Sequence, residues 1–150
     1  MLLARVLARV IGEGRRTLYK VRAQREHPGR DDKVLTACNG LMLRGLAEAG
    51  AALGRQAYLD AARKNAAFLL LNVRREGRLL RSWKDGQAKL LGYLEDYAML
   101  IDGLIALYEA TWERRWLDEA RLLAGGMAGL FWDEGEGVFY DTGKDHETLI

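Results

Sequence analysis

The segment Arg30–Gly54 reads RDDKVLTACNGLMLRGLAEAGAALG and predicts a charged loop followed by a helix rich in Gly and Ala. This helix begins a unit that occurs twice, because a shift of 58 positions without a gap superposes the second unit on the first. A unit that cannot bury its own apolar face must stack on copies of itself. The pairs in this register include Gly45 with Gly103, Leu46 with Leu104, Ala52 with Ala110, Leu59 with Leu117, Asp60 with Asp118, Ala62 with Ala120, Arg63 with Arg121 and Ala66 with Ala124.

The composition is that of a helix-rich globular protein. The 150 residues are 49% hydrophobic and 29% charged, with one Pro and one Cys. A single Cys excludes a disulfide framework and a CxxC zinc or redox motif within the chain. No segment approaches the ~20 apolar residues of a membrane span, so we expect a cytoplasmic protein without a membrane partner.

Positive charge is concentrated at the start of the chain. Residues 1–30 hold eight Lys or Arg and two acidic residues, although the net charge of the whole chain is only +2. Basic segments can bind nucleic acid, but this one has a single aromatic residue and the spacing of a solvated helix face. We therefore expect no nucleic-acid partner.

The periodicity predicts an all-α chain of α/α hairpin repeats with short β-hairpin excursions. Each unit has an inner helix, a short loop, an outer helix and a small β excursion. The leading helix is expected to be broken or frayed near Gly12 and Gly14, because each Gly costs a helix about 1 kcal/mol relative to Ala. The predicted ranges are 1–26 for the leading helix, about 35–86 for repeat one and about 93–144 for repeat two, with helices at 37–53 and 56–74 and strands at 79–83 and 138–140.

Several blocks resemble consecutive segments of a known family: RDDKVLTACNGLM, GRLLRSWKDG, YLEDYAMLIDGL, YEATWERRWLDEA and LFWDEGEGVFYDT. They are similar to the YyaL-type family, large thioredoxin-domain-containing proteins related to a spermatogenesis-associated protein. The resemblance implies a six-hairpin glycosidase-like α/α toroid, kin to N-acylglucosamine 2-epimerases and unsaturated glucuronyl hydrolases. It also implies that this chain is a middle fragment of the toroid, inactive alone, with Cys38 where the family usually has Trp.

In such toroids the cavity is lined by the starts of the inner helices and the loops before them. Glycoside chemistry uses two carboxyl groups across a sugar, which Asp31 or Asp32 with Glu95 or Asp96 would supply. The expected ligand is a sugar or uronic acid. The expected substrate-binding residues are Arg30 for a carboxylate, Asn39 at the helix start, and Trp83, Tyr93 and Tyr97 for stacking on a sugar ring.

The same residues have structural explanations. Glu95 and Asp96 are placed to cap free backbone N–H groups at a helix start, and Asp31 and Asp32 are placed for ion pairs in a loop. Asn39 can be a structural residue at the start of a helix, and Trp83 and Tyr97 can be core residues. No motif for a metal or a cofactor is present, so none is expected.

Two functions remain open from the sequence. In the first, the chain is part of a carbohydrate-active toroid that is related to sugar epimerases or glycoside-cleaving enzymes. The second is a non-catalytic helical module that docks a partner, such as a thioredoxin-like domain, or that self-associates.

Overall fold

The structure is a computed structural model that describes residues 2–146 and divides the chain into two units, at the boundary between Asp31 and Asp32. The first unit contains one helix, α1 (Leu2–Ala23). It is continuous, so the break expected near Gly12 and Gly14 is wrong. A Cβ added at either glycine would meet nothing within 4 Å, and the Leu-, Ala- and Arg-rich neighbours favour a helix strongly enough to tolerate both.

The second unit contains the two repeats. The elements are β1 (Val34–Leu35), α2 (Thr36–Leu53), α3 (Gln56–Asn72), β2 (Arg74–Arg75), β3 (Arg78–Lys84), β4 (Gln87–Leu91), α4 (Leu94–Thr111), α5 (Arg114–Phe131), β5 (Trp132–Asp133) and β6 (Val138–Phe139). A shift of 58 positions carries the bounds of α2 onto α4, the start of α3 onto that of α5, and β2 onto β5. The repeat and the all-α class with short β excursions are therefore confirmed.

The inner helices α2 and α4 approach each other closely because small residues lie at their crossing. A Cβ added at Gly40 would lie 2.6 Å from the backbone of Met99, and one added at Gly103 would lie 2.6 Å from the carbonyl oxygen of Gly40. Leu43 packs beside this contact and is fully buried. The prediction that the small residues of α2 allow a neighbouring helix to approach closely is confirmed on the face of α2 that contacts α4.

The core lies between the inner helices and the outer helices α3 and α5. Its largest fully buried side chains include Tyr97, Trp116 and Phe131, and the ring of Tyr97 meets that of Phe131 edge to face at 5.3 Å between centroids. Burial of such aromatic rings is a large apolar contribution to stability.

The β excursion of repeat one is antiparallel throughout, with β3 paired to β1, β2 and β4. Two-residue turns at Glu76-Gly77 and Asp85-Gly86 connect the strands, and all four residues have positive φ, as in the primed turns that suit hairpins. The predicted strand at 79–83 is confirmed. Outer helix α3 ends at Asn72 rather than at residue 74, because Arg74 and Arg75 pair with β3.

Repeat two reproduces only part of this excursion. Strands β5 and β6 pair with each other, as β2 pairs with the start of β3. A longer turn, residues 134–137, connects β5 to β6. The predicted strand at 138–140 is thus confirmed for Val138 and Phe139.

Candidate functional site

The start of α4 holds a buried carboxylate that connects the two inner helices. Asp96 is 1% exposed. Its Oδ1 accepts a hydrogen bond from the Ala37 N–H at 3.0 Å, and its Oδ2 accepts one from the Tyr93 N–H at 2.9 Å. One side chain therefore satisfies unpaired backbone donors at the first turns of both α2 and α4. The expectation that the two helix starts are neighbours is confirmed.

Burial dominates the electrostatics of Asp96. Desolvation raises the pKa of this carboxyl above its ordinary value of 3.8, against the two backbone hydrogen bonds and the Arg81 charge, which lower it. Buried carboxyls with raised pKa values are common at catalytic sites, but a structural cap has the same signature.

Arg81 connects this cap to an accessible carboxylate. Its Nη1 donates to Glu95 Oε1 at 2.8 Å and lies 3.4 Å from Asp96 Oδ2, and its guanidinium carbon lies 4.7 Å from the centroid of the Tyr93 ring. The hydrogen bond to Glu95 raises the pKa of the guanidinium. The Glu95 side chain is 51% exposed, so it can meet a ligand while Arg81 holds it in place.

A cleft of about 800 Å³ lies beside Tyr93. Leu90 and the basic residues Arg75 and Lys89 line it, and so does His146, whose ring stacks on Tyr93 at 5.1 Å between centroids. The described residues that line it include no Asp or Glu. The cleft therefore presents an aromatic ring with positive charge, which suits a ligand with an anionic group.

His146 has a defined hydrogen-bonding state. Its Nδ1 accepts a hydrogen bond from the Gly143 N–H at 3.1 Å. The neutral imidazole then carries its proton on Nε2, because only one ring nitrogen is protonated in that form. The ring can therefore donate a hydrogen bond through Nε2.

Arg78 fixes the segment that carries His146. Its Nε and Nη2 donate to the two carboxylate oxygens of Asp145 at 2.8 and 3.0 Å, and its Nη1 donates to the Tyr97 hydroxyl at 3.0 Å. The Asp145 pKa lies below its ordinary value of 3.8 because of the hydrogen bonds from Arg78. This two-point contact anchors residues 141–146 to β3.

Three of the expected substrate-binding residues lie in packed or partly packed positions. Tyr97 is fully buried, and its hydroxyl accepts the Leu79 N–H at 3.0 Å. Trp83 is half-buried and meets the Phe68 ring edge to face at 5.2 Å. Asn39 is half-buried and its amide donates to the Leu35 carbonyl oxygen at 2.9 Å. Only Tyr93, among the expected stacking residues, lines the cleft.

The remaining predicted residues lie at the boundary between the two units. Arg30 and Asp31 end the first unit, Asp32 begins the second, and all three are exposed. Their role with Glu95 stays a prediction. Cys38, the substitute for the family's Trp, is also exposed, whereas a free thiol is more often buried.

The sequence interpretation missed Arg81 as part of this site. The available signal was a cation between Leu80 and Trp83 in the predicted strand at 79–83, a position where an unpaired charge beside apolar side chains would be costly. Within residues 2–146, no group of three or more His, Cys, Asp or Glu side chains is arranged to hold a metal ion, and no helix there has the length and apolar character to cross a membrane.

Solved structures identify the class of protein. At 19% identity, the chain superposes on the cellobiose 2-epimerase from Bacillus thermoamylovorans with a TM-score of 0.67, over 75% of this chain and 30% of that chain. A GH76 alpha-mannanase of Bacteroides thetaiotaomicron gives a TM-score of 0.64 at 20% identity, over 75% and 32% of the two chains. The fold is thus part of an α/α toroid of the six-hairpin glycosidase-like class.

No protein-family model matches the sequence. The human Spermatogenesis-associated protein 20 is 36% identical over 142 residues, which cover 87% of this chain and 18% of the human protein. The chain belongs to the YyaL-type family of this protein. It spans about a fifth of the length of the curated relatives it matches.

Proposed function

We propose that this chain forms part of the wall of a carbohydrate-binding cavity, and that the ligand is a sugar bearing a carboxylate, such as a uronic acid. The observation that carries the proposal is the half-exposed Glu95 carboxylate at the start of an inner helix, held by Arg81, whose guanidinium carbon lies 4.7 Å from the centroid of the Tyr93 ring that lines the cleft. The toroid fold supports it, because the superposed structures include a sugar epimerase and a mannanase.

Each residue has a proposed role. Glu95 contacts the sugar and acts as an acid or base, since a carboxylate held by Arg and open to solvent can exchange a proton with a ligand hydroxyl. The second carboxyl group that glycoside chemistry requires is proposed to come from Asp32, which lies in the same unit as Glu95. Asp96 is proposed to position Glu95 by fixing the start of α4.

The cleft supplies the binding energy in this proposal. The edge of the Tyr93 ring contacts the sugar, because His146 stacks on the ring and Arg81 lies over it, and Arg75, Lys89 and the Nε2–H of His146 interact with the ligand carboxylate. An Arg contact to a carboxylate is a charge-assisted hydrogen bond, about twice as strong as a neutral one. A uronic acid is therefore expected to bind more tightly than the matching neutral sugar.

The test is calorimetric or NMR titration of the chain with glucuronic acid and glucose. Glucuronic acid should shift the amide signals of Tyr93 and His146 and bind more tightly than glucose, and Glu95→Gln should weaken binding of both sugars. Glu48→Gln is the matched control, because Glu48 is also half-exposed and paired with an Arg, Arg44. If neither sugar shifts these signals, or if the two variants behave alike, the proposal fails.

A further inference from the structure

The sheet gives the Tyr93 cleft an apolar wall. The residues of β4 that line the cleft are Ala88, Lys89, Leu90 and Leu91, and the lining residue of β3 is Leu80. All of these except Lys89 are apolar, and Leu90 is 69% exposed. The cleft therefore carries an apolar surface in addition to the basic and aromatic groups that suit an anionic ligand.

Leu90 adopts a backbone conformation that leucine rarely takes. Its φ is 64°, and at positive φ the Cβ of a bulky residue crowds its own backbone. Regular pairs of β4 with β3 lie on both sides of it, Lys89 with Ser82 and Leu91 with Leu80. The ladder thus holds Leu90 in a strained conformation.

The strain at Leu90 points to a ligand contact. Strained residues cost stability and are concentrated at binding and catalytic sites. Asn and Gly adopt positive φ more readily than Leu, and a leucine that is mostly exposed gains little stability from burial. Contact between this side chain and an apolar part of a ligand would account for a leucine at this position.

The cleft has room for more than a monosaccharide. Its volume is about 800 Å³, and pockets of about 300–1,000 Å³ bury drug-sized ligands. In the proposed function, the sugar and its carboxylate use Tyr93, Arg75, Lys89 and His146. The apolar wall around Leu90 then suits a second, apolar part of the same ligand.

We propose that the cleft binds a uronic acid joined to an apolar group, and that Leu90 contacts that apolar group. The inference rests on the proposed function, because the uronic acid uses the contacts described there. The anionic part of the ligand meets the basic residues and the apolar part meets β4. Removal of the apolar group from water adds to the affinity in proportion to the area that is buried.

The experiment compares two ligands that differ only in the apolar group. The chain is titrated with phenyl glucuronide and with methyl glucuronide, and binding is followed by calorimetry and by the amide signals of Tyr93 and His146. Phenyl glucuronide should bind about tenfold more tightly, the effect of burying roughly 55 Å² of apolar surface. Leu90→Asn should reduce this ratio to about twofold, because Asn is polar, similar in size and tolerant of positive φ.

Leu71→Asn is the matched control. Leu71 is 80% exposed on α3, away from the residues that line the cleft, so this variant should keep the tenfold ratio. The urea midpoint is a second measurement, and Leu90→Asn should be at least as stable as the parent chain because the strain is relieved. A lower ratio in a fully stable variant would separate ligand binding from a structural role.

Failure of this inference differs from failure of the proposed function. Equal affinity for the two glucuronides, a ratio that survives Leu90→Asn, or a ratio that falls as much in Leu71→Asn would overturn the role of Leu90, while methyl glucuronide could still bind as the proposed function requires. Phenyl glucoside lacks the carboxylate and should bind more weakly than phenyl glucuronide; equal affinity would contradict the carboxylate contacts. If neither glucuronide shifts the signals of Tyr93 and His146, both proposals fail.

Discussion

Removing the Asp96 carboxylate should destabilise the chain far more than removing any exposed carboxylate. In Asp96→Ala, the N–H groups of Ala37 and Tyr93 lose their acceptor at a buried position. A hydrogen bond to a charged group contributes about 1.5–3 kcal/mol. Desolvation raises the pKa of Asp96, which means that burial disfavours the ionised carboxylate. We therefore take the lower end of that range, about 1.5 kcal/mol for each hydrogen bond. Two such bonds give an expected loss of about 3 kcal/mol.

Asp96→Asn should cost less. One amide oxygen still accepts a hydrogen bond, but the amide NH₂ faces the second backbone donor, so the expected loss is about 2 kcal/mol. Asp118→Asn is the control, because Asp118 forms an exposed pair with Arg114 at 3.2 Å. Such pairs contribute about 0.5 kcal/mol or less.

The assay is urea unfolding at pH 7, followed by circular dichroism at a helix wavelength. The free energy of unfolding of each variant is compared with that of the parent chain under one fitted slope. A loss below about 1 kcal/mol for Asp96→Ala would refute the capping argument, because that is the size of an ordinary exposed cap. If Asp96→Asn kept full stability and lost sugar binding, Asp96 would belong to the ligand site.

Three further predictions concern the rest of the second unit. Trp112 ends α4 with φ of 56°, and the equivalent Gly54 ends α2 with φ of 61°. We expect Trp112→Gly to raise the free energy of unfolding by about 0.5 kcal/mol and Gly54→Ala to lower it by about 1 kcal/mol, because glycine adopts positive φ without strain. An unchanged urea midpoint in either variant would contradict this. A hydrogen bond from Arg63 lowers the pKa of Glu113 from its ordinary value of 4.5. The stabilisation from this ion pair is therefore present above pH 4.5 and is lost as the pH falls through the pKa of Glu113 in the folded chain. Glu113→Gln should make the free energy of unfolding less dependent on pH in this range, and an unchanged pH dependence would contradict a stabilising Arg63–Glu113 pair. Arg78→Met removes the two-point contact to Asp145, so it should lower the free energy of unfolding by about 2 kcal/mol and speed amide hydrogen exchange over residues 141–146. Unchanged exchange would show that another contact holds this segment.

The sequence was sufficient to predict the repeated helices, because their signal is local and occurs twice. The 58-residue register follows from Gly45, Gly103 and their neighbours, and the structure places the helix starts on that register. The strand β3 and the turn after it were also predictable, since Asp85-Gly86 is a residue pair suited to positive φ in a tight turn, whereas Glu76 adopts positive φ without such a signal. The leading helix was predicted at residues 1–26, but its continuity through Gly12 and Gly14 was not, because the helix cost of a glycine does not say how much the surrounding residues offset.

The contacts of the candidate site depend on residues far apart in the chain. Periodicity places Glu95 and Asp96 at a helix start, but it does not reveal that Asp96 also caps α2 through Ala37, 59 positions away. In the same way, the partner of Glu95 is Arg81 on a strand, and His146 reaches Tyr93. These pairings arise from tertiary packing, which a pattern in one chain segment does not encode.

The two ends of the helical hairpins differ in how much chain connects them. At one end, α2 passes to α3 through Gly54 and Arg55, and α4 passes to α5 through Trp112 and Glu113. At the opposite end, residues 73–93 carry the sheet and most of the cleft wall, and residues 142–146 complete that wall. A peptide tag or fluorescent label inserted at Gly54–Arg55 would therefore report on the protein while staying a full helix length away from the ligand rim, about 27 Å for 18 residues.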